Sequence, residues 1–365
     1  MTAFSRALSM SPMTRLLHHT ELSVIVPVRN EAAGLAGLFR NLADQQEVEL
    51  ELVLCDGGST DGTAEQARQL AQSAPFPVTI VETEPGRGNQ LNTGAATATA
   101  TWLLFLHADS HFPDPLSFRR SLDYLAAARD AAPNALLAGR FALRFRRQET
   151  APSFAYHYYE CKARLDRPEC SHGDQGLLME RKTFAAIGPF LTTLPMLAET
   201  RLADTIRQRG KLLLLPAEIA TSARRFETEG LAARQALNAI IMNFAAQGWE
   251  PFFRELPSLY RHQDEAGKLQ LRPILKRLGE SIRDLTPRER QALWQGTGRY
   301  IRDNAWQLAF ALDALRSFHG NLPPGAGTTT CLDVYDRHLD RITDNAAGRW
   351  LAALLARIWL RRGTD

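Results

Sequence analysis

Asp56 is the residue whose position says most about chemistry. It follows the apolar run Leu52-Val53-Leu54-Cys55 and opens the turn Asp56-Gly57-Gly58-Ser59-Thr60-Asp61-Gly62-Thr63. A carboxylate at the carboxyl end of a buried strand lies where open α/β sheets place their ligands. There it can accept hydrogen bonds from the base or ribose of a nucleotide, and Gly57 and Gly58 let backbone approach closely. Asp61 reads as a cap for the following helix, with Thr63 beside it.

Other polar segments sit at equivalent places. In Val26-Pro27-Val28-Arg29-Asn30-Glu31, Pro27 fixes a strand exit, and Arg29 and Glu31 project from the loop; simple helix capping is the plain alternative. In Gly86-Arg87-Gly88-Asn89-Gln90-Leu91-Asn92, the glycines bring backbone N–H groups near an anion, Arg87 offers a fork of donors, and a helix start follows. Neither a Walker A loop nor GxGxxG is present, and a flexible loop with a solvated arginine stays open. His107-Ala108-Asp109 follows the apolar Trp102–Leu106. Asp109 is placed to hold a divalent cation bridging phosphates; His107 could be a second ligand or could orient Asp109. His111 reads as a surface residue. Ser171-His172-Gly173-Asp174-Gln175-Gly176, Pro195 to Leu202 and Ser222-Ala223-Arg224-Arg225-Phe226 are ordinary polar loops when taken singly.

These segments need a sheet to position them. Residues 22–28, 51–54, 77–81 and 102–106 read as buried strands, alternating with helices over about 30–43, 63–71 and 89–99. That alternation predicts a parallel sheet with right-handed crossovers. Further strands are expected over 136–146, 175–180 and 212–216, and helices over 183–187 and 202–209. After about Gly230 helical periodicity dominates: 231–244, 272–285, 287–318 and 332–361, with Thr286 as cap and Pro287 at the first position of one helix. Asn321–Thr330 reads as a loop. The expected organisation is a tail over 1–20, an α/β domain over 21–230 and a helical extension over 231–365.

Composition sets the frame. The chain has 365 residues, 45% hydrophobic and 23% charged, with a net charge of +3. That is an ordinary soluble composition and gives no support for a nucleic-acid partner. The four cysteines lack CxxC spacing; free thiols in a reducing cytosol are the favoured reading, with a Cys161–Cys170 disulfide or metal site as the alternative. The first twenty residues carry Arg6 and Arg15 but no continuous apolar core, so no signal peptide is expected. No transmembrane helix is expected, and the location is read as cytoplasmic. The apolar stripe from Arg349 to Arg362 could touch a membrane surface, but packing on its own domain is favoured.

In order, SVIVPVRNE, LCDGGSTDGT, GRGNQLNTGA and LLFLHAD resemble the family 2 glycosyltransferases, inverting enzymes with the GT-A nucleotide-sugar-binding fold. HAD, GDQG and SARRFETEG look like a bacterial subgroup associated with arsenosugar biosynthesis and radical-SAM gene clusters. The resemblance covers about Leu22 to Leu231 and implies an α/β GT-A domain. It implies that Asp56 contacts the nucleotide base and that Asp109 is the last acid of an Asp-X-Asp metal motif in which His107 replaces the first. The nucleotide-sugar contacts it implies run over Pro27, Arg29, Glu31, Asp56, Gly57, Arg87, Gly88, Asn92, His107, Ala108, Asp109 and Arg225. Glu199 falls where the family has its acceptor-side base, and Asp174 is the rival carboxylate. Arg225, with Arg224 behind it, resembles the basic residue that closes over the diphosphate.

The implied cofactor is Mg²⁺ or Mn²⁺ on Asp109 and His107. The implied donor is a nucleoside diphosphate sugar, UDP-linked by preference, with an unidentified acceptor. Homo-oligomers through the helical extension are compatible with this reading. A sugar-phosphate nucleotidyltransferase is the rival enzyme, but such enzymes place a Gly-rich basic motif after the first strand, where this chain has Pro27-Val28-Arg29-Asn30-Glu31. A degenerate nucleotide-binding module is the third reading. The aromatic cluster Tyr156-His157-Tyr158-Tyr159 could stack on an acceptor, with helix packing favoured.

Overall fold

The computed structural model describes residues 20–193, 196–261 and 267–364. The expected tail, but for Thr20, lies outside them, as does Pro195.

Seven strands form one sheet in the order β3-β2-β1-β4-β6-β5-β7. They are β1 (Leu22–Val28), β2 (Leu50–Asp56), β3 (Val78–Glu82), β4 (Trp102–Phe105), β5 (Leu137–Arg146), β6 (Leu177–Glu180) and β7 (Lys211–Ser222). β1 pairs in parallel with β2 and β4, β2 with β3, and β5 with β7. Among the described strands only β6 runs antiparallel, between β4 and β5. The sheet is therefore mostly parallel, as the alternating pattern predicts.

Side chains alternate between its faces with the period of two that a strand imposes. Val24, Val26, Leu52, Leu54 and Leu104 share one core with α1 (Ala32–Ala43), α2 (Thr63–Ala71) and, through Phe118 and Leu122, a helix described below. Ile25, Val53, Cys55, Leu103 and Phe105 share the other with α3 (Arg87–Thr97) and with Ile187, Leu202 and Ile206. A buried sheet covered on both faces is what near-continuous apolar strands require.

Next in chain order come α4 (Ser117–Ala131), which carries Phe118 and Leu122, α5 (Phe154–Lys162), α6 (Arg181–Ile187) and α7 (Ala198–Arg209). The sequence reading missed α4 and α5 as helices. It also made β7 too short: the strand continues through Pro216 to Ser222, because its register against β5 shifts between Arg140 and Ala142. A bulge is where a residue without an N–H can sit in a ladder.

The C-terminal part is helical: α8 (Arg224–Glu229), α9 (Leu231–Gln247), α10 (Glu250–Arg261), α11 (Leu271–Arg283), α12 (Pro287–Asp303), α13 (Trp306–His319), α14 (Thr330–Val334), a π turn (Tyr335–Leu339), α15 (Asp340–Thr343) and α16 (Ala346–Thr364). Thr286 caps α12 in a reciprocal box with Glu289, and Pro287 takes the first position. Two helices expected to be continuous are broken. Asn304 turns its amide onto the Tyr300 carbonyl at 2.9 Å, ending α12, a side chain competing with backbone. Asn345 Oδ1 accepts from Gly348 N at 2.9 Å and caps α16.

Phe244, Ile274, Leu278, Leu293 and Leu360 form a separate apolar core. A further one joins α13 to the α/β part, through Trp306 and Phe310 against Cys161, Cys170 and Tyr158. The aromatic cluster thus packs a helix. All four thiols are free. Among the described residues no helix is long and apolar enough to cross a membrane.

Candidate active site

The carboxyl ends of β1, β2 and β4 carry the loops that hold the candidate residues. β2 and β4 flank β1 on either side, so their ends stand two strand spacings apart, about 10 Å at ~4.8 Å each. Asp56 is the last residue of β2 and is buried. Its Oδ1 accepts from Ser59 N at 3.0 Å and from Ser59 Oγ. The β1 and β2 loops are stitched together: Asn30 N donates to Ser59 Oγ at 2.9 Å, and Asn30 Oδ1 accepts from Thr60 N at 2.8 Å. Asn30 has a φ of 56°, a conformation its short amide tolerates. Gly62, not Asp61, takes the N-cap position of α2; Asp61 stands one residue before it and accepts from Thr63 N at 3.0 Å and from Ala32 N of α1 at 3.1 Å.

α3 lies close beneath these loops. Gln90 Nε2 donates to the carbonyls of Val28 and Cys55, at 2.9 and 2.8 Å, tying the ends of β1 and β2 together. A Cβ on Gly57 would lie 2.9 Å from that amide, and one on Gly88 would overlap the Leu191 carbonyl. Both glycines are explained by close approach within the protein. Asn92 spends both ends of its amide on Phe190 backbone, at 2.9 Å each. Pro27 is buried within β1, Ala108 is buried and Arg29 is exposed.

Beyond β4 the chain turns at His107–Ser110. Asp109 Oδ2 accepts from Thr221 Oγ1 and Ser222 N, both at 3.2 Å. His111 exchanges backbone hydrogen bonds with Ala220, at 2.9 and 2.7 Å. The end of β7 thus holds the acidic turn and delivers Arg224 and Arg225 to it. The Arg225 guanidinium is well exposed, 3.6 Å from Glu229. Glu31 has its pKa raised by burial and then by Asp109, with Arg224 and Arg225 opposing. The loop after β1 therefore faces both Asp109 and the two arginines.

Glu199 sits in the first turn of α7 and is only 6% exposed. Arg87 Nε donates to its Oε1, and His107 Nε2 stands 3.4 Å from the same atom. Burial alone would raise the Glu199 pKa, but Arg87 and His107 outweigh it and hold the carboxyl at about 2. Just before α7, Leu197 has a φ of 72°, costly for a branched side chain and of the kind that clusters at functional sites.

The Gly173–Gln175 turn closes the cluster. A Cβ on Gly173 would lie 3.1 Å from the Glu199 carboxylate and 3.2 Å from His107 Nε2. Among the described residues Asp174 Oδ1 is buried without a hydrogen-bond partner, while His107 Nε2 faces Glu199 Oε1. Burial raises the Asp174 pKa, and Asp109 and Glu199 add to this against His107. Two residues that sequence reasoning passed over position this turn. Gln175 Nε2 donates to Ala163 O at 3.0 Å, and Arg140, 1% exposed, donates to the same carbonyl and to Leu165 O at 2.6 Å. Burial lowers the Arg140 pKa to about 10. A charged residue amid the apolar Leu137–Leu143 run is the one sign that could have found it.

Among the described residues no three His, Cys, Asp or Glu side chains are grouped to hold a metal ion. The half-buried Asp109 carboxylate nevertheless fits a cation that takes most of its oxygen ligands from a bound phosphate, as Mg²⁺ commonly does, whereas His107 Nε2 is turned to Glu199.

Residues 23–185 match the family model described as Glycosyl transferase family 2. A PGL/p-HBAD biosynthesis glycosyltransferase of Mycobacterium tuberculosis is 30% identical over 178 residues, 48% of this chain and 66% of the relative. An uncharacterized glycosyltransferase of Haemophilus influenzae is 36% identical over 93 residues, 25% of this chain and 30% of the relative. The match therefore spans just under two thirds of the mycobacterial relative. Among solved structures, the mannosyltransferase PcManGT of Pyrobaculum calidifontis, in complex with GDP-Man and Mn²⁺, aligns with a TM-score of 0.48 at 18% identity, covering 94% of this chain and 88% of that one. S. aureus TarS in complex with UDP aligns at 0.44 and 16%, covering 87% and 92%.

Proposed function

We propose that this chain, whose residues 23–185 match the family model Glycosyl transferase family 2, transfers a sugar from a nucleoside diphosphate sugar to an acceptor hydroxyl with inversion at C1. The observation that carries the reading is the gathering of Arg87, His107, Asp174 and Glu199 around one point on the sheet edge that also bears Asp56 and Asp109.

Asp56, fixed by Ser59, accepts from the base or ribose. Asp109, with His107, would hold a divalent cation, whose charge offsets that developing on the diphosphate leaving group. Arg224 and Arg225 face the same space and supply further positive charge. The acceptor oxygen attacks C1 as the bond from C1 to the diphosphate oxygen breaks, and the hydroxyl proton passes to a carboxylate. Glu199 is that carboxylate in our reading. Clamped by Arg87 it is a weak base, so Arg87 must turn to the donor diphosphate, which raises the Glu199 pKa as the donor arrives.

Asp174 is the second reading, favoured by its unpartnered oxygen and raised pKa. Single-turnover transfer with Glu199→Gln and Asp174→Asn separates the two. A general base contributes roughly 10²–10⁴-fold, so Glu199→Gln is expected to slow transfer by about that factor, with donor affinity kept or raised because Arg87 is released. The same loss in Asp174→Asn, with Glu199→Gln near full rate, would reassign the base. Failure of any nucleoside diphosphate sugar to raise the Tm, with or without Mn²⁺, would remove the donor assignment itself. Consumption of a nucleoside triphosphate with a sugar phosphate would mark a nucleotidyltransferase instead.

A further inference from the structure

The stripe expected to pack on its own domain does so with only one of its faces. At about 100° per residue, α16 turns Ala352, Ala353 and Leu360 inward, all buried. The inward side is small because α12 comes very close: a Cβ on Gly298 would overlap the Arg349 carbonyl and lie 3.0 Å from Ala353 Cβ. The large apolar side chains go outward, with Trp350 65% exposed, Leu351 52%, Leu355 58%, Ile358 39% and Trp359 47%. An ordinary surface helix buries such residues and exposes polar ones.

Charge says what this face fits. α16 contains Arg349, Arg357, Arg361 and Arg362 and no acidic residue. Arg349 binds Asp344, and Arg357 lies over the Trp294 ring at 5.0 Å. Arg362 falls within the exposed arc itself. A second copy docked face to face would set these cations against their own images, since a two-fold interface meets itself. An anionic surface would meet a helix whose own charged side chains are all positive. Tryptophans with leucines and arginines are also the composition of helices that lie in the headgroup region of a bilayer.

We infer that the exposed face of α16 docks the protein flat onto an anionic lipid surface. Neither the sugar-transfer reading nor its donor is needed for this.

The test uses the full chain and vesicles of phosphatidylcholine with or without phosphatidylglycerol. Co-sedimentation is expected only with the anionic vesicles, weakening as salt rises, with a blue shift of tryptophan emission. Leu355→Glu with Ile358→Glu is expected to abolish binding without moving the Tm, since both side chains are exposed; Arg362→Glu is expected to weaken it several-fold. No binding to anionic vesicles at low salt, or binding indifferent to the double substitution, overturns the inference. A concentration-dependent dimer by light scattering, lost in the double variant and accompanied by no vesicle binding, would overturn it in favour of a second copy.

Discussion

At the scale of single residues, Glu199 is subject to opposing demands. Its burial disfavours the charge that a donor's arrival would need it to lose to a proton, while Arg87 and His107 stabilise that charge strongly enough to hold the pKa at about 2 against an ordinary 4.5. A folded-state pKa below the unfolded one contributes stability that is fully present above pH 4.5 and lost as pH falls toward 2. We therefore expect the stability gap between the native chain and Glu199→Gln to be constant from pH 7 down to about 4.5 and to shrink below it. Urea titrations across that range check this; a gap independent of pH would mean that Arg87 does not hold the carboxylate. Asp174 has the opposite sign: its raised pKa makes its ionised form a cost to folding.

At the scale of elements, α3 and α7 do the positioning. α3 can lie on the sheet only because Gly94 has no side chain. A Cβ there would overlap Ile25 Cγ2 and lie 2.8 Å from Cys55 Sγ, both buried. The contact fixes Gln90 under the ends of β1 and β2, and with it the height of Arg87 at the helix start. Overpacking of this kind costs about 1–3 kcal/mol. Gly94→Ala should lower the urea midpoint accordingly and reduce transfer, because Arg87 and Gln90 move with the helix. An unchanged midpoint would show that α3 lifts from the sheet without cost. α7 is set differently, by the strained Leu197 ahead of it and by the Gly173 turn packed on its first residues.

At the scale of the whole molecule, the helices after Gly230 are not an appendage. Trp306 of α13 is buried against the α5 region, with Arg167 over its ring at 4.5 Å and Lys162 at 5.8 Å. Residues 163 and 165, which follow α5, are the ones Arg140 holds to set the Asp174 turn. The helical part is thus connected to the cluster through packed side chains. Trp306→Ala is expected to cost about 3–5 kcal/mol and to lower the unfolding of the α/β part as well, in one shared transition. Separate transitions by fluorescence and circular dichroism, with only one displaced, would show two independent units.

What the amino-acid sequence determined by itself was the local grammar. Apolar runs, turn glycines and polar loops defined β1 to β4 and placed Asp56 at the end of β2 and Asp109 in the turn beyond β4, because strand periodicity and turn chemistry act over a few residues. The Thr286 cap and the GT-A resemblance were legible for the same reason. The rest was decided by contacts between segments far apart in the chain. No spacing rule joins Arg87 to Glu199 across more than a hundred positions, aims His107 at that pair, or assigns the amide of Asn92 to backbone. Pro216 looked like a strand end until a bulge absorbed it. The facing of α16 was settled by the close approach of Gly298, since periodicity gives the stripe but only packing says which side is covered.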